Sequence, residues 1–389
     1  MDDIMLMVIV SYLALILISI FRDSRLITPL NIYIVFSSIY VLFPYYYLLN
    51  DVQLVSIDLP HLNIQYSKII SYTVVVINVL FLVLQCMSPK FLNYRLGHRP
   101  LSNRKIYLYL FIFSYPFVLS LVYFYSWPEF GEGFSRWHSF SAFGKLLLLV
   151  LFSILSYSKY KHVLFIMVLV VCVVDSARTH LFIAIFIYLL SLEITFRSCL
   201  KYLPHFSLMI FIFLYVTLSR NSVEIRLEYF FWPFFSEGIF GSYGVYQTLE
   251  LIANDYSCSP LDYFLDNALL VVYKFFHNGG CVLSVVDDSL YYNILNNKLY
   301  PFGGHFFLSE LYLYFGFGAA LFFCIIKISY VRFSRLVPYE LVPIYISSTF
   351  LIIKSPLFVL LKFILSIFVI YLIVSFVAKI FGPKESKYE

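Results

Sequence analysis

Charge is scarce in this chain. Only 13% of its 389 residues are Asp, Glu, Lys or Arg, about half the share found in an ordinary soluble domain. So little charge cannot coat a water-soluble body of this size, which excludes a globular cytosolic protein. Disorder is excluded as well, because disordered chains are poor in aromatics and 21% of this one is aromatic. Cysteine is sparse, at six, and no Cys or His pair has the spacing of a zinc site. Walker, Rossmann and serine-nucleophile motifs are missing, so ATP-driven pumping and serine hydrolysis have no support. No internal repeat is visible, which counts against an inverted-repeat transporter.

What is present is apolar. The chain is 61% hydrophobic, with a mean hydropathy of +0.86, and long apolar runs alternate with charged and proline-bearing breaks. Each bilayer crossing takes about 20 such residues. The pattern predicts an all-α polytopic membrane protein of about eleven spans, with ten to twelve as the range. They fall near 4–21, 30–49, 69–87, 106–125, 144–157, 163–174, 181–194, 205–219, 306–326, 339–353 and 356–378. Residues 1–219 then hold helices one to eight, 220–304 form one large loop, and 305–389 hold helices nine to eleven and a tail. The first segment lacks a basic n-region and a small-residue cleavage site, so it reads as a retained helix.

Most of the 27 basic residues lie in alternate connections: Arg22 and Arg25, the run from Lys90 to Lys105, Lys159 and Lys161, Arg197 and Lys201, then Lys327, Arg332 and Arg335, and finally Lys379, Lys384 and Lys387. The positive-inside rule makes that side cytoplasmic. The N-terminus is then outside and the C-terminus inside, as an odd number of spans requires. The net charge of +5 therefore carries no nucleic-acid signal.

The loop at 220–304 faces outside and holds nine of the 22 acidic residues. Its stretches 226–233 and 261–273 are amphipathic and aromatic, which suits short helices lying at the outer membrane–water boundary. Cys258 and Cys281 share this loop and could form a disulfide or remain thiols. Cys86, Cys172 and Cys324 fall in helices, and Cys199 is cytoplasmic.

Three constellations at the outer face could carry chemistry. In Asp175-Ser176-Ala177-Arg178-Thr179-His180, Asp175 is a candidate N-cap for helix seven and Arg178 sits in its first turn. An outward helix N-terminus with an Arg suits phosphate, although Asp175 and Arg178 could equally neutralise each other. Arg220 and Arg226 flank the outer end of helix eight. Two arginines on a face poor in cations could complete a diphosphate bed, while a lone terminal Arg would simply snorkel to headgroups. The third stretch runs from Pro301 through Gly303, Gly304, His305 and Glu310 to Tyr314, Gly316 and Gly318. Glu310 interrupts an apolar run and should face the bundle or a wet cavity, as a site residue or as a packing device paired with a buried cation. Tyr314, four residues on, shares its side. His305 and, in the large loop, His277 are further candidates.

The basic cytoplasmic face, the short Asp175–Thr179 turn, the large outer loop and the Gly304-His305…Glu310…Phe315-Gly316 stretch together resemble bacterial O-antigen polymerases of the Wzy type and their relatives, the O-antigen ligases. The ligases carry their own His-bearing outer-loop pattern, only part of which is matched here. The resemblance implies a GT-C-like integral-membrane glycosyltransferase in the Gram-negative inner membrane, with its active site on the periplasmic face. Its substrate would be an undecaprenyl-diphosphate-linked oligosaccharide, and its surroundings membrane lipid, a chain-length regulator and a flippase. No nucleic acid, no cofactor and no required metal are implied. Arg178, Arg220 and Arg226 would hold the diphosphate, with Asp175, His180, His277 and Tyr314 as further binding candidates. Glu310 or His305 would serve the attacking hydroxyl, with inversion at the donor carbon.

Rival readings are a lipid-linked oligosaccharide flippase or other transporter, the ligase, an O-acyltransferase, and a structural membrane protein. A flippase should line a central cavity with basic residues, and only Lys354 and Lys362 stand within or beside a helix in this reading.

Overall fold

The computed structural model describes residues 3–23, 25–50, 64–87, 101–125, 139–174, 178–220, 232–253, parts of 260–271, 306–355 and 357–381. Among them the chain is all-α, with no strand. The helices are α1 (Asp3–Arg22), α2 (Pro29–Asn50), α3 (Ile64–Met87), α4 (Asn103–Tyr125), α5 (Ser139–Leu155), α6 (Lys161–Val174), α7 (Arg178–Ser191), α8 (Leu203–Arg220) and α9 (Trp232–Ala253). They continue as α10 (Leu308–Phe315), α11 (Ala319–Phe333), α12 (Val342–Ser347), α13 (Leu351–Lys354) and α14 (Leu357–Phe381). Four stretches are long and apolar enough to cross a membrane by length and composition: Asp3–Arg22, Gln65–Met87, Leu308–Phe333 and Leu357–Phe381. Shorter apolar helices cover Pro29–Tyr45, Phe143–Leu155, Lys161–Val173, Thr179–Ser191 and Cys199–Tyr215. These features mark a membrane-embedded protein.

The chain divides into two compact units. Unit 1 contains α1–α3, α9–α11, α13 and the first turn of α14; unit 2 contains α4–α8, α12 and the rest of α14.

In unit 1 a polar chain ties three apolar helices together. The Tyr12 hydroxyl donates to Ser37 Oγ at 3.0 Å, the Tyr33 hydroxyl to Asn78 Oδ1 at 2.8 Å, and Asn78 Nδ2 to Ser11 Oγ at 2.8 Å. All five side chains are buried, so each hydrogen bond removes a desolvation penalty that would otherwise stand. Helix α9 packs against α2, α3 and α10. At Gly238 it approaches α2 so closely that an added Cβ would collide with the Ile39 carbonyl oxygen.

That helix lies within the expected loop 220–304, 22 residues of which form one continuous helix built into unit 1. Of the stretches expected to form short helices, 226–231 lies outside the described residues and the described residues of 261–271 are helical. Two expectations change. The single span at 306–326 is a helical hairpin: the Phe307 and Phe323 rings stack at 3.7 Å, as do Phe315 and Phe322. In one straight helix residues 307 and 323 would stand about 24 Å apart. The reversal occurs at the 3-10 turn Gly316–Gly318, where Gly316 has φ +50°. A side chain there would be strained. The span at 339–353 is likewise broken, into a 3-10 turn, α12, a second 3-10 turn and α13.

In unit 2, α5, α6, α7 and α8 run up and down. Phe152 near the end of α5 meets Phe165 near the start of α6 at 6.2 Å. Lys161 Nζ donates to the Ser191 carbonyl at 3.0 Å and His162 Nδ1 pairs with the Tyr188 hydroxyl at 2.8 Å, which sets the start of α6 beside the end of α7. Phe182 of α7 and Phe213 of α8 lie 4.4 Å apart, as an antiparallel pair requires. The 3-10 turn Cys199–Tyr202, which carries Cys199, leads into α8.

Candidate functional sites

Each unit offers one candidate. In unit 1 it centres on the break between α13 and α14. Ser355 is extended (φ −133°, ψ 151°), as suits the residue before Pro356. Breaking a helix among apolar side chains orphans a carbonyl and an N–H, and inside a membrane protein both must find partners. The segment leading into α10 supplies them. The Phe307 N–H donates to the Ile353 carbonyl at 3.0 Å. The Leu357 N–H, at the first residue of α14, donates to Glu310 Oε2 at 3.2 Å. A carboxylate at a helix N-terminus also meets the positive end of the helix dipole.

Glu310 is 2% exposed and Tyr314 3%, both on α10. A cavity of about 20 Å³, room for about one water, lies between the hairpin arms and is lined by Glu310, Phe323, Ile326, Ser355 and Leu357, among others. Lys327, expected just past the end of its helix, stands within the buried stripe of α11 and is 1% exposed. Its Nζ has no hydrogen-bond partner among the described residues.

In unit 2 the candidate is one end of the α5–α8 bundle. Because neighbouring helices alternate in direction, the starts of α5 and α7 and the end of α8 share that end. Arg178 is the first residue of α7 and Arg220 the last of α8. Counting from the Phe182–Phe213 contact, their backbones differ in height by only about 5 Å. His180, half-buried, is the third residue of α7 and lies within electrostatic reach of Lys145 on α5. The helical segments α5, α6, α7 and α8 contain no Asp or Glu.

The structure therefore brings Arg178, His180 and Arg220 to one end of unit 2 and buries Glu310 and Tyr314 in unit 1. Asp175, Arg226, His277, His305, Cys258 and Cys281 lie outside the described residues. Cys172 and Cys324 are buried in helices and Cys86 is exposed on one. Among the described residues, no group of three or more His, Cys, Asp or Glu could hold a metal ion.

Sequence reasoning missed two residues. Lys145 was not among the residues singled out, although its helical register carries it to the level of His180. Lys327 had been assigned to a solvated face because helix nine was ended at 326. Lys68, Lys145 and Lys327 all stand within helices, so Lys354 and Lys362 are not the sole candidates for cations among the helices. No family model, curated protein or solved structure matches the chain.

Proposed function

We propose that the chain is an O-antigen polymerase of the Wzy type, a GT-C-like glycosyltransferase at the periplasmic face of a Gram-negative inner membrane. The observation that carries this reading is the pair Arg178 and Arg220, which close one end of an antiparallel helix pair. The reaction transfers a growing glycan from undecaprenyl diphosphate to the sugar of an incoming lipid-linked repeat unit. The acceptor hydroxyl attacks the anomeric carbon, the bond from that carbon to the diphosphate oxygen breaks, and the configuration inverts. The leaving diphosphate gathers negative charge, and fixed cations lower that barrier. Arg178, Arg220 and Arg226 serve this purpose in the reading, with His180 beside them.

The hydroxyl proton needs an acceptor, and His305 and Glu310 are the two candidates. Glu310 already accepts the Leu357 N–H through one oxygen, so its substitution must be interpreted with that bond in mind. The test is complementation of a strain lacking its own polymerase, read as a lipopolysaccharide ladder. A restored ladder supports the polymerase; core plus a single repeat unit with the protein present in the membrane refutes it. Retained anomeric configuration in the polymer would refute direct displacement.

One observation favours a second reading, transport of a lipid-linked oligosaccharide. Unit 1 has a helical hairpin and a broken helix, and discontinuous helices mark the binding sites of many transporters. Rescue of a flippase-deficient strain, which otherwise makes no O-antigen units on the outer side, would favour transport.

A further inference from the structure

We propose that the opposite end of unit 2, where the α5–α6 turn meets the α7–α8 connection, holds the headgroup of an acidic phospholipid on Lys159, Arg197 and Lys201. The inference stands apart from the polymerase reading and needs neither Arg178 nor Arg220.

Three observations carry it. The first is that the two connections are held together and held still. Lys161 Nζ donates to the Ser191 carbonyl at 3.0 Å, and the Tyr188 hydroxyl, 2.8 Å from His162 Nδ1, lies within electrostatic reach of Tyr202. The Thr195 N–H donates to Ser198 Oγ at 3.0 Å and the Ser198 N–H to Thr195 Oγ1 at 3.3 Å. Arg197 lies inside that closed turn, and Lys201 in the 3-10 turn that follows.

The second is the state of the cations. Lys159, Arg197 and Lys201 are all exposed. Lys159 Nζ stands 5.2 Å from the centre of the Tyr160 ring and Lys201 Nζ 6.0 Å from that of Tyr202, so each amine rests over an aromatic face. Acids stand nearby, Glu193 in the second connection and Glu340 beside the end of α5, where its carbonyl takes the Ser153 hydroxyl. Neither forms an ion pair with these three cations.

The third is the apolar surface beside them. Leu200 and Leu203, on either side of Lys201, are 77% and 57% exposed. A soluble polyanion has nothing to offer those leucines. A phospholipid brings a phosphate to the cations and acyl chains to the leucines, and basic pockets at this side of a membrane suit such headgroups. Orienting the chain takes positive charge alone. It does not require that charge to be fixed on a tight turn, over tyrosines and beside exposed leucines.

The test uses the purified full-length chain in phosphatidylcholine bilayers, with spin-labelled phosphatidylglycerol and phosphatidylcholine as probes. The wild type should prefer phosphatidylglycerol. Arg197→Gln and Lys201→Gln should each lower that preference by about fivefold, the worth of one cation at a charged lipid surface. Arg22→Gln, which removes an exposed cation at the end of α1 in unit 1, should leave it near the wild type. Wild-type preference in both unit 2 variants, or an equal loss in Arg22→Gln, overturns the proposal. If the unit 2 variants do not fold, a salt titration of the wild type decides. The preference should fall as ionic strength rises from about 0.01 M to about 1 M, and a preference that salt leaves unchanged overturns the proposal. Displacement of phosphatidylglycerol by inorganic phosphate at constant ionic strength would assign the cations to a soluble phosphate and overturn the lipid assignment.

Discussion

Unit 1 and unit 2 use their few ionisable groups in opposite ways. Unit 1 interrupts its helices, folding one stretch into the α10–α11 hairpin and breaking another before α14, and it places Glu310 and Lys327 in the interior. The Glu310 carboxylate is occupied by a backbone N–H that the break would otherwise orphan. Unit 2 keeps α5 to α8 as plain rods, supplies no acid within them, and collects Lys145, Arg178, His180 and Arg220 at one end. A buried charge that the backbone satisfies explains how the fold survives. Cations gathered at one end of a helix bundle are, in the proposed function, there for the diphosphate. The two kinds of substitution should therefore separate cleanly, one acting on stability and the other on activity.

The largest effect is expected at the arginines. Arg178→Ala or Arg220→Ala should reduce chain extension by about 10²–10³-fold, the range for removing one donor to a developing oxyanion. Melting temperature and membrane abundance should stay at wild-type levels. A ladder of full length from both variants would erase the functional half of the contrast.

Next comes Glu310. Glu310→Ala leaves the Leu357 N–H unsatisfied in an apolar setting and should cost about 2–3 kcal/mol of stability, seen as a lower melting temperature in detergent. Glu310→Gln keeps an oxygen for that N–H and should melt close to the wild type. Loss of the ladder in a well-folded Glu310→Gln protein would make the carboxylate part of the chemistry as well as of the fold. Gly238→Ala should cost somewhat less, about 1–2 kcal/mol, by pushing α9 away from the Ile39 carbonyl. An unchanged melting temperature would show that α9 does not bear on α2 as closely as described.

The sequence made the rods legible and hid the turns between them. Helices such as α1 and α6 could be read because each is a single apolar run bounded by charge, and their expected ends fall within two residues of those observed. The same signal failed for 306–326, because apolar periodicity continues straight through Gly316-Phe317-Gly318 and carries no mark of a reversal. It failed for α9 because Ser236, Glu237, Ser242, Gln247 and Glu250 dilute that segment's hydropathy, although its small residues are what allow close packing on α2. Arg178 and Arg220 could be singled out because cations are rare on the side that the positive-inside rule assigns as outer. Glu310 could be singled out as polar within an apolar run, but its partner could not, since the Leu357 N–H belongs to a helix 47 positions away.

The smallest expected effect lies at Lys327 and has the opposite sign. Its amine sits in the buried stripe formed by Phe323, Cys324, Tyr330 and Val331, and no described group accepts a hydrogen bond from it. Removing an unsatisfied polar atom while keeping its volume should relieve a desolvation cost, so Lys327→Met should raise stability by about 1 kcal/mol. Thermal melting in detergent checks this directly. A stabilised protein with a normal ladder would place Lys327 with the interior groups of unit 1 that serve the fold alone. A stabilised protein with a lost ladder would give unit 1 a functional cation of its own, and the contrast between the two units would then concern how their charges are housed, not whether they act.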